Sequence, residues 1–408
     1  MHSLQSVRKG ILVFCLLAAL QPLRAGAGEP TLPDTVQAAF QRSPRLELSD
    51  AMRHSGQAIR RQASSPLAGA PSLLLRHESD AVTEDDGYRE WEAGVEMPIW
   101  LPGQRDRRGK VADAVAGEAE ALSKLQLWRV AGEVRELLWS LFIAESEQAL
   151  ARQAFESAKT LENDIARRVT AGELARTELI LAQKETLARE MAMMAADADY
   201  AALLGHYRLV TGLAVLPRHI DELEANLTAV TDGHPALVAA RFATDRTRAE
   251  RDQVRGEKYE NPLLYLGSKT ERPESRDSYQ TALVVQINVP LGTSGDAAPN
   301  TAKAELRLSE AVSELSSVHR ELENDLIEAT SEKHRASQAV ELSKRRRQLA
   351  EEGLRLTRRS FELGETDVFT LLQARAQALQ SEHDLRISRL ERGRAIARYN
   401  QALGVVPE

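Results

Sequence analysis

The sequence predicts a mainly α-helical protein with a small β part, built as two tandem copies of one unit. Three observations carry that reading. Residues recur at a near-constant offset. Gly172-Glu173 and Gly364-Glu365 lie 192 positions apart, as do Leu179 and Leu371, Ala182 and Ala374, Tyr207 and Tyr399, and Gly212 and Gly404. Upstream, Met97-Pro98-Ile99 meets Val289-Pro290-Leu291 at 192, and Pro44 and Pro71 meet Pro235 and Pro262 at 191. An offset held over that length marks an internal repeat. Second, apolar residues recur alternately three and four apart over stretches longer than an ordinary helix. Third, aromatics make up 4% of the 408 residues and charged residues 28%, which favours long helices over an aromatic-rich core.

The elements follow in order. Arg8 and Lys9 precede an apolar run from Ile11 to Leu20, and Ala25-Gly26-Ala27 supplies small residues for cleavage. Residues 1–27 therefore read as a secretory signal peptide. Cys15, the single cysteine, sits inside that run behind Phe14, so no lipid anchor, disulfide or cysteine-based zinc site is expected. Copy one spans about 28–213 and copy two about 214–408. Each opens with a shorter helix, about 45–65 and 235–257. Two strands follow, about 71–78 and 91–99 in copy one and 262–269 and 281–291 in copy two. Paired long helices close each copy, about 104–170 with 176–211, and 300–362 with 366–403.

The long helices carry coiled-coil seams. In copy one the seam reads Leu127, Val130, Val134, Leu137, Leu141, Ala144, Gln148, Ala151, Phe155, Ala158. In copy two it reads Leu315, Leu322, Leu326, Ala329, Lys333, Ala336, Val340. A helix from 104 to 168 is about 95 Å long at 1.5 Å per residue, a rod no compact domain needs. Gly172 and Gly364 fit the left-handed position that ends a helix. Thr177 and Thr366-Asp367 are candidate caps for the returning helices.

The strands alternate. Val95, Met97, Leu283, Val285, Ile287 and Val289 fall on one face; Glu92, Glu96, Gln286 and Asn288 fall on the other. A half-buried soluble strand reads the same way. Strands of about nine residues also suit a tilted bilayer crossing, and Tyr88, Trp91, Trp100, Tyr265 and Tyr279 sit at or near strand ends, as interfacial aromatics do. Four strands cannot close a barrel, since the smallest membrane barrels use eight. Strands that span a membrane here therefore require an oligomer.

This ordered, duplicated set resembles the TolC-like outer-membrane efflux protein family. The resemblance rests on Gly172-Glu173-Leu174-Ala175-Arg176-Thr177-Glu178-Leu179, on Gly364-Glu365-Thr366-Asp367-Val368-Phe369-Thr370-Leu371-Leu372, on Tyr399-Asn400-Gln401-Ala402-Leu403-Gly404, and on Met97-Pro98-Ile99-Trp100 with Pro44 and Pro71. It implies a homotrimer whose four strands per chain make a 12-stranded outer-membrane barrel, with the helices forming a periplasmic tunnel. It implies a periplasmic adaptor (membrane fusion) protein and an inner-membrane pump as partners, with lipid around the barrel. The Tyr88–Gln104 stretch looks like the branch serving RND-type heavy-metal cation efflux. Multidrug efflux and type I protein secretion are the alternatives within the family, and a periplasmic adaptor or structural coiled-coil protein is the alternative outside it.

The resemblance places adaptor docking at Gly172, Glu173, Leu174, Gly364, Glu365, Thr366 and Asp367; simple helix capping is the other reading of the glycines. Some members close the tunnel with aspartate rings beyond the second tip glycine. The matching positions here are Thr370 and Gln373, with Asp367 slightly earlier. Glu92, Glu96, Gln286 and Asn288 would line the barrel lumen, and the apolar face would meet lipid. Arg105, Arg107, Arg108 and Lys110 would meet headgroups or solvate a helix start. Met191, Met193 and Met194 read as gap-filling residues. No histidine pair has ligand spacing, so no metal site or cofactor is expected. There is no phosphate loop, nucleophile elbow or HExxH, so no catalysis is expected. A net charge of −7 argues against a nucleic-acid partner.

Overall fold

The computed structural model describes residues 29–83, 86–257, 259–291 and 294–407. The predicted signal peptide and Cys15 lie outside them. Eleven elements are present among the described residues: α1 (Leu32–Gln41), α2 (Leu46–Ser64), β1 (Ser72–Ser79), β2 (Arg89–Pro98), α3 (Gln104–Thr170), α4 (Arg176–Thr211), α5 (Pro235–Gly256), β3 (Leu263–Arg272), β4 (Gln280–Asn288), α6 (Ser294–Glu362) and α7 (Val368–Ala402). The order from α2 to α4 is repeated from α5 to α7.

Helix α1 has no counterpart in copy two, where residues 212–234 form neither helix nor strand. Its start is a capping box: Thr31 and Asp34 bond each other's backbone amides, and proline sits in the first turn, a strong local stop-and-start signal. Helix α6 begins at Ser294 rather than near 300, with Pro299 in its opening turns.

The four strands form one antiparallel sheet in the order β1-β2-β3-β4. Ser72 faces Glu96 in copy one and Leu263 faces Asn288 in copy two. These pairs differ by the repeat offsets of 191 and 192, so both hairpins share one register. The copies join where β2 pairs β3, with Gly94 opposite Gly267. Tyr265 explains both glycines. A side chain at either one would collide with its ring, which lies buried across them on the polar face. Tyr265 is therefore a glycine cover and not an interfacial aromatic, contrary to the sequence expectation.

Helix packing sets a lateral order. Near the sheet the order is α2-α3-α5-α6, and toward the far end it is α6-α7-α3-α4. Close approach needs small residues: Gly56 of α2 lies on Val115, and Gly117 of α3 on Phe242. Three apolar clusters then follow α3 along its length. The first joins Ala121 and Leu125 to Ala239 of α5. The second packs Val130, Val134, Leu138 and Leu141 against α1, Tyr207, Ile220 and Ala397. The third joins Leu161 and Ile165 to Ala182, Val368 and Leu371 at the hairpin tips. In α6 the buried stripe includes Leu322, Ala329 and Val340, part of the expected seam.

Candidate functional site

Three regions carry the chemistry. The first is the sheet. Register places Leu73, Leu75, Ala93, Val95, Met97, Leu264, Leu266, Leu283, Val285 and Ile287 on one face. Most of these are exposed; Leu75 is 72% and Leu283 81% accessible. Val289, one residue past β4, is exposed as well. The opposite face carries Glu92, Glu96 and Gln286, with Asn288 at its end. Glu90 is buried there, taking Lys269 Nζ at 2.9 Å and the Tyr88 hydroxyl at 2.5 Å. Both sequence-predicted faces thus fall on common sides of one sheet. Among the described residues, edge strands β1 and β4 each have one unpaired side. Trp91 stacks on His77 at 3.9 Å on the apolar face. Trp100 instead tucks into the junction below, donating to the Ser65 carbonyl at 3.0 Å.

The second region is the pair of hairpin tips, which close identically. Gly172 has φ 78° and Gly364 φ 77°. The Glu173 amide donates to Arg168 O at 2.9 Å and the Gly172 amide to Val169 O at 3.0 Å; Glu365 to Ser360 and Gly364 to Phe361 repeat this at 2.9 and 3.1 Å. Each is a Schellman motif. An added Cβ would meet nothing at either glycine, so backbone conformation alone demands glycine there. Gly172, Glu173, Gly364, Glu365 and Asp367 are exposed. Leu174 is not presented outward; it packs on the tip core.

Asp367 caps α7, accepting from the Thr370 amide at 2.8 Å. That hydrogen bonding holds its carboxyl below the usual range. Thr370 and Gln373 are exposed on the same side of α7. Thr177 does not cap α4: Ala175 occupies the cap position with no side-chain bond, because the turn after Gly172 ends two residues earlier.

The third region is a clamp that sequence reasoning missed. The segment between the copies is tied to α3 and α7. Buried Arg135 grips Glu222 through two bonds of 2.8 and 2.6 Å and also reaches Val405 O at 3.0 Å. Asn400 takes the Ala225 amide at 3.0 Å and donates to Leu223 O at 2.9 Å. The Tyr399 hydroxyl donates to Leu227 O at 2.9 Å. The repeat-related Tyr207 donates to Val215 O at 2.9 Å. Tyr399 and Asn400 of the closing motif thus anchor the linker, while Gln401 bonds Trp128 and Arg135 on α3.

Residues 227–405 match the family model described as outer membrane efflux protein. That match lies within the second copy and spans less than half of the 408 residues. No curated protein matches the sequence. Solved structures extend the likeness over nearly the whole chain. The outer membrane protein VceC from Vibrio cholerae superposes with TM-score 0.73 at 17% identity, covering 91% of this chain and 96% of that one. CusC gives 0.74 at 14% identity, covering 94% and 95%. The Campylobacter jejuni CmeC outer membrane channel gives 0.73 at 14%, covering 99% and 94%. At these identities the likeness is one of fold.

Among the described residues no helix is long and apolar enough to cross a membrane, and none of the His, Cys, Asp and Glu groupings suits a metal ion. The basic cluster has local partners: Arg105 reaches the Ala63 and Ser64 carbonyls at the end of α2, Arg108 binds Glu257 at 2.9 Å, and Lys110 pairs with Asp106. Arg105 and Arg108 thus bridge the start of α3 to the ends of α2 and α5.

Proposed function

We propose that the chain is an outer membrane efflux protein and serves as the passive exit duct of a tripartite pump. It assembles as a homotrimer and conducts what an inner-membrane pump and a periplasmic adaptor deliver. The observation that carries this reading is the sheet: an exposed apolar face crosses all four strands, and among the described residues both edges lack a partner. An open edge cannot be satisfied in lipid, so the apolar face and the edges together call for further copies. Three copies supply twelve strands. The residues Val95, Met97, Leu283, Val285, Ile287 and Val289 then face lipid, and Glu92, Glu96, Gln286 and Asn288 face the lumen.

Helix α3, with 67 residues, extends about 100 Å, enough to carry the duct deep into the periplasm. The adaptor docks at the tips around Gly172, Glu173, Gly364, Glu365, Thr366 and Asp367, with Leu174 holding the first tip from beneath. The duct opens when the tip helices untwist, and Asp367 at the cap of α7 lines that aperture with Thr370 and Gln373 of its first turns. The polar sheet face carries Glu78, Glu90, Glu92, Glu96 and Glu271 against Arg76 and Lys269. This excess of acid favours cations in the lumen and supports heavy-metal cations as the cargo; an RND-type pump is the partner that goes with that branch of the family.

Deletion of the gene tests the reading. Minimum inhibitory concentrations are measured for Co, Zn, Cd, Ni, Cu and Ag salts beside hydrophobic drugs and detergents. Sensitivity confined to metals, restored by the wild-type gene but not by a Gly364→Trp variant that reaches the outer membrane, is the expected result. Sensitivity to drugs alone contradicts the metal assignment and points to a multidrug duct. No sensitivity at all contradicts efflux and points to protein secretion.

A further inference from the structure

Helices α4 and α6 form the two lateral edges of the helical layer near the tips, and each carries an unpartnered apolar stripe. On α6 the stripe is Leu342, Leu349 and Leu356, continued by Leu363 just past its end, spaced by seven and all exposed; Leu349 is 71% accessible. It is separate from the buried seam that faces α7. On α4 the stripe is Ile180, Leu187, Met191 and Met194, and Leu187 is 61% accessible. Both follow heptad spacing, the signature of a helix awaiting a partner.

The two stripes match in height. Leu356 and Ile180 each lie eight positions from the glycine of their own tip. Leu349 and Leu187 each lie fifteen away, and Leu342 and Met194 twenty-two. At 1.5 Å per residue these rungs sit about 12, 22 and 33 Å from the tips. Glu352 and Lys184 are also level, twelve positions from their glycines, and both are exposed. Helix α6 runs toward its tip and α4 runs away from its own, so the pairing is antiparallel. Within one chain α7 and α3 stand between them, as the lateral order requires.

We infer that α6 of one copy packs against α4 of the next as an antiparallel coiled coil, with rungs Leu356–Ile180, Leu349–Leu187 and Leu342–Met194 and an ion pair Glu352–Lys184. The inference rests on the trimer reading above and adds its register. Each copy offers one stripe on each edge, so the contact is head-to-tail and closes into a ring. The methionines of α4, assigned to gap filling by the sequence, then fill gaps between copies rather than within one.

Cysteine cross-linking of the full chain in outer-membrane fractions tests this, in a Cys15→Ser background so that introduced cysteines are the only ones. The double variant Leu349→Cys/Leu187→Cys is oxidised with copper phenanthroline and run on a non-reducing gel. The expected result is a covalent dimer and trimer ladder, reversed by reductant. A second pair, Leu356→Cys/Ile180→Cys, gives the same ladder and guards against one variant that fails to fold. The control Leu349→Cys/Thr177→Cys is offset by about 15 Å along the helix, beyond disulfide reach, and stays monomeric on the gel. No ladder from either matched pair in protein that remains trimeric by light scattering overturns the register while leaving the trimer intact. An equal ladder from the control also overturns it. Protein that is monomeric by light scattering overturns the trimer reading itself.

Discussion

Arg135 on α3 holds Glu222 of the inter-copy segment in a two-pronged ion pair, at 2.8 and 2.6 Å. Arg135 is 3% exposed and Glu222 12%. The pair pins a segment without secondary structure to the longest helix of copy one. Removing one partner strands a buried charge. Glu222→Ala is therefore expected to destabilise the fold by about 3–5 kcal/mol. The urea-unfolding midpoint of detergent-solubilised protein checks this, with Glu222→Gln retaining part of the hydrogen bonding and losing less.

His234 caps α5 by accepting the Ala236 amide at 3.2 Å, and its ring packs edge-on to Trp128. Burial pushes its pKa from 6.5 down to about 4. The unfolded chain therefore takes up a proton that the native state refuses. The cost appears as pH falls below 6.5 and is complete near 4; each pH unit in that window removes about 1.4 kcal/mol. Melting curves at pH 7.5 and 5 are expected to differ more for wild type than for His234→Asn, which keeps a capping acceptor and does not titrate.

Gly364 and Gly172 have open space around them and a positive φ. Substitution by alanine is expected to cost about 1–2 kcal/mol through backbone strain alone. Asparagine tolerates the left-handed region better and is expected to cost less. Thermal denaturation of Gly364→Ala beside Gly364→Asn checks the order.

The two sheet faces make a paired prediction. Val285→Arg or Ile287→Arg is expected to cost about 2–4 kcal/mol if placed near the bilayer midplane, whereas Gln286→Arg between them stays in water. The yield of assembled protein in outer-membrane fractions is expected to fall for the first two and to hold for the third. Equal yields from all three contradict the lipid assignment of that face.

Much of this architecture was legible in the chain. Three-four spacing and the tip glycines mark α3 and α6, since local propensity and tertiary packing agree there. Alternation also marks the strand faces, because a strand's period is independent of its partners. What was not legible depends on contacts far apart in sequence. Arg135 and Glu222 are 87 positions apart, and nothing local in either names the other. Tyr265 reads as an interfacial aromatic until register sets Gly94 opposite Gly267 beneath it. The start of α1 was visible in Thr31, Pro33 and Asp34, but its ten residues lack the long periodicity that identified the other helices. The leucine stripe from Leu342 to Leu363 was visible too; a second seam on one helix has meaning only once packing leaves it uncovered.

The most direct test of the central claim is electron cryo-microscopy of the purified protein in lipid nanodiscs. The account predicts three-fold particles with twelve strands in the bilayer and a continuous helical tube of about 100 Å below it. Particles of one copy, or a sheet lying outside the lipid, would contradict it.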